Sequence, residues 1–257
     1  MKEKMNKIPV FYACDDNFVK YTMVSLQSMM DHASKEVQYE IHVLHTNISE
    51  EMQKKMHAME NANFSVQFDH VTEYLHSIQE KLPLRDYYSK TTYFRLFIAE
   101  MFPEIDKAIY IDSDTVVLGD IAQLYAYDLG DAYVGACREQ VMIQEEVYGT
   151  YVEKVLGVER DNYFNAGMLV INCEQFRKNH VLKQFMELLP MYNFVVTQDE
   201  DYLNLICHNK VCWLPQKWNV EVFGQIPCRE EEICVLHYIM VSKPWHYNDC
   251  RLQEYFW

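Results

Sequence analysis

Glycine and proline are scarce in this sequence, at seven residues each among 257. Their scarcity, with 49% apolar and 14% aromatic residues, excludes collagen-like, low-complexity and disordered chains and predicts a folded protein with a substantial core. Basic residues are also in the minority, since 23 Lys and Arg face 38 Asp and Glu and the net charge is −15. The negative electrostatic potential of such a chain repels a phosphate backbone, so we expect no nucleic-acid partner. For the same reason, an anionic ligand needs local cations or a metal ion.

Long apolar runs and paired cysteine motifs are missing as well. No stretch approaches the roughly 18 apolar residues of a membrane span, and the N-terminus reaches the polar segment Cys14–Asp16 before a signal-length apolar core develops. The eight cysteines are scattered and show no CxxC spacing. This favours reduced thiols in a cytoplasmic protein. A zinc site from Cys207, His208, Cys212 and Cys228 is an alternative, although structural zinc ligands usually come in closer pairs.

Neither GxGxxG nor GxxxxGK[ST] occurs, so a Rossmann or P-loop phosphate cradle is excluded. Apolar runs nevertheless alternate with helical stretches, the pattern of βα units around a largely parallel sheet. The predicted strands are Ile8–Ala13, Tyr39–Leu44, Phe64–Phe68, Lys107–Ile111, Val134–Cys137, Gly167–Asn172 and Cys234–Tyr238. The predicted helices run from a cap at Asn17 to about Ala33, from a cap at Ser49 to about Asn61, and over Thr91–Phe102, Glu174–Leu189 and Asp199–Cys207. Ligands of such folds bind at the carboxyl ends of the strands.

An acidic turn follows the fourth predicted strand at that edge. Asp112 and Asp114 flank Ser113, and carboxylate oxygens in this position suit Mg²⁺ or Mn²⁺. His237 follows a later apolar segment and can add an imidazole ligand, which favours Mn²⁺, while Lys243 can face a diphosphate. The alternatives are a turn whose Asp side chains cap backbone amides and a structural histidine.

These residues belong to a set of motifs in which the chain resembles glycosyltransferase family 8, the group of bacterial lipooligosaccharide glucosyl- and galactosyltransferases and, more distantly, glycogenin. The matching segments, in the order of the family, are Tyr12–Asn17, Thr92–Leu96, Lys107–Asp114, Tyr163–Met168, Gln198–Asn204, and His237 with Lys243–Trp245. The resemblance implies a single GT-A domain over 1–257, with a nucleotide-binding half (1–115) and a sugar and acceptor half (116–257). It also implies a UDP-sugar donor and retention of the anomeric configuration.

The resemblance also implies the roles of individual residues. Asp112, Asp114 and His237 match the metal ligands. Residues matched to the donor nucleotide and diphosphate are Ala13, Asp15, Asn17, Ser113 and Lys243. Asp15 can accept the uracil N3 proton and Asn17 can bind ribose hydroxyls; the alternative is a helix cap at Asn17 with a solvated Asp15.

A second group of residues matches the surroundings of the donor sugar. Arg95, Asn165 and Ala166 are matched to sugar contacts, and Asp199 and Glu200 are the candidate catalytic carboxylates. Arg95 has a structural alternative as a buried cation paired with an acid. Asp199 has an alternative as a helix N-cap.

Two positions depart from the family pattern. Many bacterial relatives have an amide where this chain has Glu200, so a covalent glycosyl intermediate on this carboxylate competes with a same-face mechanism in which the departing diphosphate guides the acceptor. The family also usually has a glycine a few residues after the histidine, where this chain has Ile239–Ser242.

The expected function is transfer of glucose or galactose from UDP-glucose or UDP-galactose to a saccharide hydroxyl, in lipopolysaccharide or capsule synthesis. A membrane-bound acceptor would bring the protein into peripheral contact with a membrane. Tyr148 and Tyr151, within Arg138–Asp161, are candidates for an acceptor groove or for ordinary helix faces. The rivals are a haloacid dehalogenase-like phosphatase with Asp112 as nucleophile and a non-catalytic nucleotide-sugar-binding module.

Overall fold

Four parallel strands form one side of the main sheet. The computed structural model describes residues 7–76, 90–194 and 196–257; the other parts of the predicted domain 1–257 lie outside the described residues. Strands β1 (Lys7–Ala13), β2 (Gln38–His45), β3 (Phe64–His70) and β4 (Lys107–Ile111) pair in the order β3-β2-β1-β4. All four were predicted to within two residues.

The other side of the sheet contains one reversed strand. Beyond β4 the order continues with β7 (Phe164–Asn172), β6 (Val134–Arg138) and β8 (Val211–Trp213), and β7 runs antiparallel to both β4 and β6. The sheet is therefore mixed, and the expected parallel direction holds for the other six strands. Because β7 is reversed, its first residues lie beside the end of β4, and the Asp112 amide donates to the Gly167 carbonyl at 2.7 Å.

The sheet is buried on both faces, which explains its nearly continuous apolar strands. Along β1, Val10 and Tyr12 pack into one core cluster, whereas Phe11 and Ala13 pack into the other. Residues of β4 alternate in the same way. This period-two pattern brings the strand ends to a common edge, where the polar segments follow.

A second, three-stranded sheet carries the histidine of the predicted metal site. Its strands are β5 (Thr115–Val117), β9 (Val220–Glu221) and β10 (Val235–His237), in the order β5-β10-β9. Strand β10 is antiparallel to β5, with His237 opposite Thr115. The Tyr238 amide donates to the Asp114 carbonyl at 2.9 Å. Strands β5, β8 and β9 were not predicted, because two or three residues give no measurable periodicity.

Helices cover both faces of the main sheet. They are α1 (Val19–His32), α2 (Glu50–His57), α3 (Thr72–His76), α4 (Ile98–Met101), α5 (Ile121–Tyr125), α6 (Gln140–Gln144), α7 (Glu146–Tyr151), α8 (Cys173–Lys178), α9 (Val181–Leu188) and α10 (Asp199–Ile206). A 3₁₀ segment, Lys90–Phe97, leads into α4, and a π-helical turn, Val152–Leu156, follows α7.

Four helix predictions need correction. The helix expected over Thr91–Phe102 is a 3₁₀ segment, Lys90–Phe97, followed by the short helix α4. Helix α1 begins at Val19, because the Asp15 carboxylate, rather than Asn17, accepts the amides of Asn17 and Phe18 at 2.9 and 3.0 Å. The Ser49 cap is confirmed, but α2 ends at His57, short of Asn61. The single helix expected over Glu174–Leu189 is two helices, broken where His180 adopts a left-handed backbone with φ 54°.

The structure also shows the state of the cysteines and the length of the helices. All eight cysteines are free thiols. Within the described ranges, the grouping of His, Cys and carboxylate side chains that can hold a metal ion is Asp112, Asp114 and His237, so the zinc alternative at Cys207–Cys228 is wrong. No helix among the described residues is long and apolar enough to cross a membrane.

Candidate active site

Asp112, Asp114 and His237 come together where β4 ends and β10 ends. Their ligand atoms all lie within 4.8 Å of one another. His237 Nε2 is 3.2 Å from Asp114 Oδ1 and 4.0 Å from Asp112 Oδ2. Two carboxylates and one imidazole form a donor set that suits Mn²⁺, with Mg²⁺ as the oxygen-preferring alternative.

The remaining oxygens of the two carboxylates bind protein groups. Asp112 Oδ1 accepts from the Tyr110 hydroxyl at 2.7 Å and from Arg95 at 3.1 Å. Asp114 Oδ2 accepts from Lys243 Nζ at 2.5 Å. Burial opposes the charge of Asp114, but Lys243 and His237 outweigh it and hold the pKa of this carboxyl well below its usual range. Asp114 therefore keeps its negative charge at neutral pH.

Gly167 at the start of β7 permits the close approach of these ligands. A Cβ atom there would overlap His237 Cε1 and lie 2.8 Å from Asp112 Oδ2. From the sequence, the small residues Ala166 and Gly167 were expected to let a sugar approach the backbone closely. The structure gives Gly167 a different steric role, because a side chain there would enter the space between two metal-ligand residues.

We predict that Gly167→Ala weakens Mn²⁺ binding by at least about tenfold, because the added methyl group displaces His237 or Asp112. Electron paramagnetic resonance of free Mn²⁺ measures the change. Gly135→Ala is the matched control, since its Cβ meets the flexible Leu129 side chain inside the sheet at 2.9 Å. Equal Mn²⁺ affinity in Gly167→Ala and the wild type would contradict the steric account.

A cleft of about 360 Å³ opens beside the cluster, a size in the range of small-molecule sites. The predicted site residues that line it are Ala13, Arg95, Asp112, Ser113, Asp114, Asn165, Ala166, Asp199, Glu200, His237 and Lys243. They come from the ends of β1, β4 and β10, the start of β7, the helix α10, the 3₁₀ segment before α4 and, for Lys243, the loop after β10. The open-sheet crevice expected from the strand pattern is therefore present.

Asp15 and Asn17 lie outside this cleft. They line a neighbouring depression with Asn47 and Lys90, and Thr91 lines both cavities. Asp15 Oδ1 is bound by the two backbone amides at the start of α1, so its other carboxylate oxygen is the one available to a ligand.

Arg95 is a buried cation between two acids. Its side chain is 4% exposed. It lies 3.1 Å from Asp112 Oδ1 through Nη2 and 3.0 Å from Asp199 Oδ2 through Nε, and it donates to the Ala166 carbonyl. Burial raises the pKa of Asp199 to about 7 against the opposing charge of Arg95. Arg95 is therefore both a buried cation paired with acids, which was the structural alternative, and a residue of the cleft wall.

Asp199 is the first residue of α10, and the cap position belongs to Gln198, whose side chain makes no capping hydrogen bond. The N-cap alternative for Asp199 is therefore wrong. Gln198 has a strained backbone at φ 58° and ψ −113°, and the two residues after it, Asp199 and Glu200, line the cleft.

Glu200 belongs to a group of buried carboxyl side chains. Its other members, Glu139 and Glu221, were not predicted from the sequence. Glu200 Oε2 accepts from the Ala166 amide at 2.7 Å. Burial, and then the neighbouring Glu139, raise the pKa of Glu200 well above its usual range. Glu139 lines the cleft, accepts from the Met142 amide at 2.6 Å and is hydrogen-bonded to Glu221. Glu139 follows β6 without any recognisable motif, so the sequence carried no signal for it.

Burial raises the pKa of Glu139 to about 7 from an ordinary value of 4.5. The folded protein then binds more protons than the unfolded chain between these values, so this group's contribution to the free energy of unfolding falls as pH rises through that window. We predict that Glu139→Gln reduces the loss of stability between roughly pH 5 and pH 8 by on the order of 1–3 kcal/mol, measured by urea unfolding. Exposed Glu145→Gln is the control. A pH dependence identical to that of the wild type would contradict the assignment.

The Arg138–Asp161 segment forms part of the cleft wall through α6 and α7. Tyr148 lines the cleft, as one of the two interpretations of this segment predicted. Tyr151 instead donates to Asp201 Oδ2 at 2.8 Å. On the outer side, Arg160 binds Glu146 and Glu153 and ties α7 to the π-helical turn.

In the Ile239–Ser242 segment, Met240 adopts a left-handed backbone with φ 56°. This conformation is costly for a residue with a side chain and favours glycine. The segment that lacks the family's usual glycine therefore still makes a glycine-type turn, and this turn lies beside the cleft.

The fold is that of an α/β protein, and a cluster of side chains suited to a divalent metal ion lies in the crevice of its open sheet. The model of glycosyl transferase family 8 matches residues 9–249. This chain therefore belongs to glycosyltransferase family 8, which excludes the haloacid dehalogenase-like phosphatase.

Relatives and solved structures agree with this assignment. The chain is 24% identical over 258 residues to a lipopolysaccharide 1,3-galactosyltransferase of Salmonella typhimurium, covering 94% of this chain and 74% of that protein. The galactosyltransferase LgtC, solved with donor and acceptor sugar analogues, is 27% identical with a TM-score of 0.80, covering 97% of this chain and 94% of LgtC. The bifunctional glycosyltransferase WbbM is 25% identical with a TM-score of 0.83; all of this chain matches 50% of WbbM. The predicted GT-A fold is confirmed.

Proposed function

We propose that this protein is a metal-dependent, retaining hexosyltransferase that moves glucose or galactose from a UDP-sugar to a hydroxyl group of a saccharide. The observation that carries the proposal is the Asp112, Asp114 and His237 cluster in the cleft wall, beside Lys243. These three residues would hold Mn²⁺, with Mg²⁺ as the alternative. When bound, the ion supplies positive charge that stabilises a diphosphate leaving group.

We assign the nucleotide to the residues around the first strand and α1, within the 1–115 half. Ala13 and Ser113 line the cleft at the strand ends. Asp15 and Asn17 lie in the adjoining depression, where the free Asp15 oxygen would accept the uracil N3 proton and the Asn17 amide would bind ribose hydroxyls. The diphosphate would then extend from the depression toward the acidic cluster.

Lys243 is the local cation that a strongly acidic chain needs for an anionic ligand. Its Nζ donates to Asp114 Oδ2 at 2.5 Å and to the Tyr238 carbonyl. We propose that Lys243 moves from Asp114 to the diphosphate when donor and metal bind, because the metal ion then supplies the positive charge that Asp114 requires.

We assign the donor sugar to the 116–257 half together with Arg95. Asn165 and Ala166 lie at the start of β7, and Asp199 lies at the start of α10, all facing the cleft. Amide and carboxylate groups can bind several sugar hydroxyls at once, and Ala166 leaves room for close approach. Glucose and galactose differ at one hydroxyl group, so these hydrogen bonds would select between them.

We favour the same-face mechanism over a covalent intermediate on Glu200. Burial and the neighbouring Glu139 raise the pKa of this carboxyl and outweigh the hydrogen bond from the Ala166 amide, which favours the charged form. The nucleophilic carboxylate form is therefore disfavoured at neutral pH. In the same-face reaction the acceptor oxygen bonds to the anomeric carbon as the bond from that carbon to the diphosphate breaks. The acceptor proton passes to a diphosphate oxygen. A sugar ester on Glu200, seen by intact-protein mass spectrometry, would contradict this choice.

We propose a lipopolysaccharide or capsule precursor as the acceptor and the cytoplasm as the place of action, with peripheral contact at a membrane that holds the acceptor. The resemblance to the Salmonella lipopolysaccharide 1,3-galactosyltransferase supports this acceptor class. Tyr148 in the cleft wall offers an aromatic face on which a sugar ring can pack.

A panel of UDP-hexoses, each with Mn²⁺ and a set of saccharide acceptors, tests the proposal. We expect one hexose to be transferred, or slowly hydrolysed when no acceptor is present, and proton NMR of the product to show the anomeric configuration of the donor. Inversion would contradict the retaining assignment. Tight UDP-sugar binding without transfer or hydrolysis would support the non-catalytic binding module.

A further inference from the structure

A buried amide side chain, Asn219, connects the metal cluster with the cleft. Asn219 is fully buried between a 3₁₀ turn (Gln216–Trp218) and β9. Its Oδ1 lies 3.1 Å from His237 Nδ1, and its Nδ2 donates to Asn165 Oδ1 at 2.8 Å. The backbone amide of Gly167 donates to the same Asn165 oxygen at 2.9 Å.

The Gly167 amide fixes the orientation of both asparagine side chains. A backbone N–H can only donate, so the atom of Asn165 that faces Gly167 is the oxygen. That oxygen in turn requires a donor from Asn219, which is its NH₂ group. Reversing the Asn219 amide would place two oxygens 2.8 Å apart with no proton between them, which is unfavourable.

The remaining Asn219 atom is therefore an oxygen, and it faces His237 Nδ1. An oxygen acceptor at this distance requires a proton on Nδ1. The second ring nitrogen, Nε2, is the one that lies near Asp112 and Asp114. Metal-binding histidines commonly need such a partner, since the hydrogen bond at one nitrogen sets the tautomer and ring orientation at the other.

We propose that Asn219 is a positioning residue that keeps the His237 proton on Nδ1 and so presents Nε2 to the metal ion. This inference rests on the proposed metal-dependent function. It has a second part: because Asn165 Oδ1 already accepts two hydrogen bonds, Asn165 offers its Nδ2 group to the cleft, as a donor for a sugar hydroxyl. Asn219 thus orients a metal ligand and a sugar contact through a single amide.

Two substitutions separate the two parts. Asn219→Leu removes both hydrogen bonds, and we expect it to weaken Mn²⁺ binding by about 10–100-fold. Asn219→Asp retains an acceptor for His237 Nδ1–H, but it replaces the donor to Asn165 by a carboxylate oxygen, which repels Asn165 Oδ1 and disturbs the orientation of that amide. We therefore expect Asn219→Asp to bind Mn²⁺ within about threefold of the wild type, in contrast to the loss expected for the leucine variant, and to show a raised KM for the UDP-sugar.

The matched control is Asn172→Leu, which loses a comparable set of hydrogen bonds at the far end of β7. Asn172 donates to the carbonyls of Gly130 and Ala132 and accepts from the Gln175 amide. We expect this variant to lose stability while its Mn²⁺ affinity stays at the wild-type value.

Nitrogen-15 NMR of histidine-labelled, metal-free protein tests the proton position directly, with His237→Gln identifying the signal. We expect a protonated Nδ1 whose proton exchanges slowly, and faster exchange of that proton in Asn219→Leu. An unprotonated Nδ1, or Mn²⁺ affinity unchanged by Asn219→Leu, would overturn the inference. A wild-type protein that shows the protonated Nδ1 but binds no Mn²⁺ would overturn the proposed metal role of the site, while the hydrogen-bonded arrangement of Asn219 and His237 would stand.

Discussion

Asp114→Asn is expected to lower the rate of sugar transfer by about a thousandfold or more, because several kcal/mol of charge stabilisation in the transition state depend on the metal ion. Asp114 Oδ1 lies 3.2 Å from His237 Nε2, and Oδ2 binds Lys243. The substitution is nearly isosteric, so it removes one negative charge from the metal site with little change in packing. Steady-state kinetics with the UDP-hexose and Mn²⁺ measure the loss.

Asp69→Asn is the matched control for this substitution. Asp69 also follows the apolar part of a strand and also pairs with a histidine, His42, at 3.0 Å. It lies on β3, outside the cleft. We expect near wild-type transfer from Asp69→Asn, and circular dichroism should show that both variants are folded at the assay temperature. An Asp114→Asn enzyme with wild-type turnover and wild-type metal dependence would show that the metal site is assigned to the wrong residues.

Arg95→Met is expected to destabilise the protein by about 3–5 kcal/mol, because it leaves the buried Asp199 carboxyl and the half-buried Asp112 carboxylate without their cation. Arg95 is 4% exposed and lies 3.1 Å from Asp112 and 3.0 Å from Asp199. Asp199 is 3% exposed, so water cannot replace the lost charge. Urea unfolding measures the change in the free energy of unfolding.

A second substitution tests the cause of this loss. Because Asp199→Asn replaces a buried carboxyl that has lost its cation by a neutral amide, the double variant Arg95→Met/Asp199→Asn should recover part of the lost stability. Arg177→Met is the control, since Arg177 donates to three backbone carbonyls and pairs with the exposed Asp106. A loss no greater than that of Arg177→Met, or no recovery in the double variant, would contradict the buried-charge account.

The sequence predicted those parts of the fold that depend on local pattern. Strands β1 to β4 are apolar runs buried on both sides, and their ends place Ala13 and Asp112 at one edge. The Ser49 cap was also readable, since the side chain and the amide that it binds are three residues apart. The break at His180 was not, because a left-handed residue inside an otherwise helical pattern leaves no apolar or charge signal.

The metal cluster was predicted through the family motifs, and its geometry depends on long-range pairing. His237 meets Asp114 because the three-residue strand β10 pairs with β5, more than 100 residues earlier in the chain. Such short strands are formed by tertiary packing rather than by propensity. Asn219 and Glu139 escaped the sequence analysis for a related reason, since each is an isolated polar residue whose partner lies on another element.

Isothermal titration of UDP, with and without Mn²⁺, tests the central claim most directly. Asp112, Asp114 and His237 are grouped within 4.8 Å in a cleft that also contains Lys243, and a nucleoside diphosphate bound there shares its charge between the ion and the lysine. We predict UDP binding that is at least about tenfold tighter with Mn²⁺ than without it. The absence of UDP binding under both conditions would contradict the assignment of this cleft as a nucleotide-sugar site.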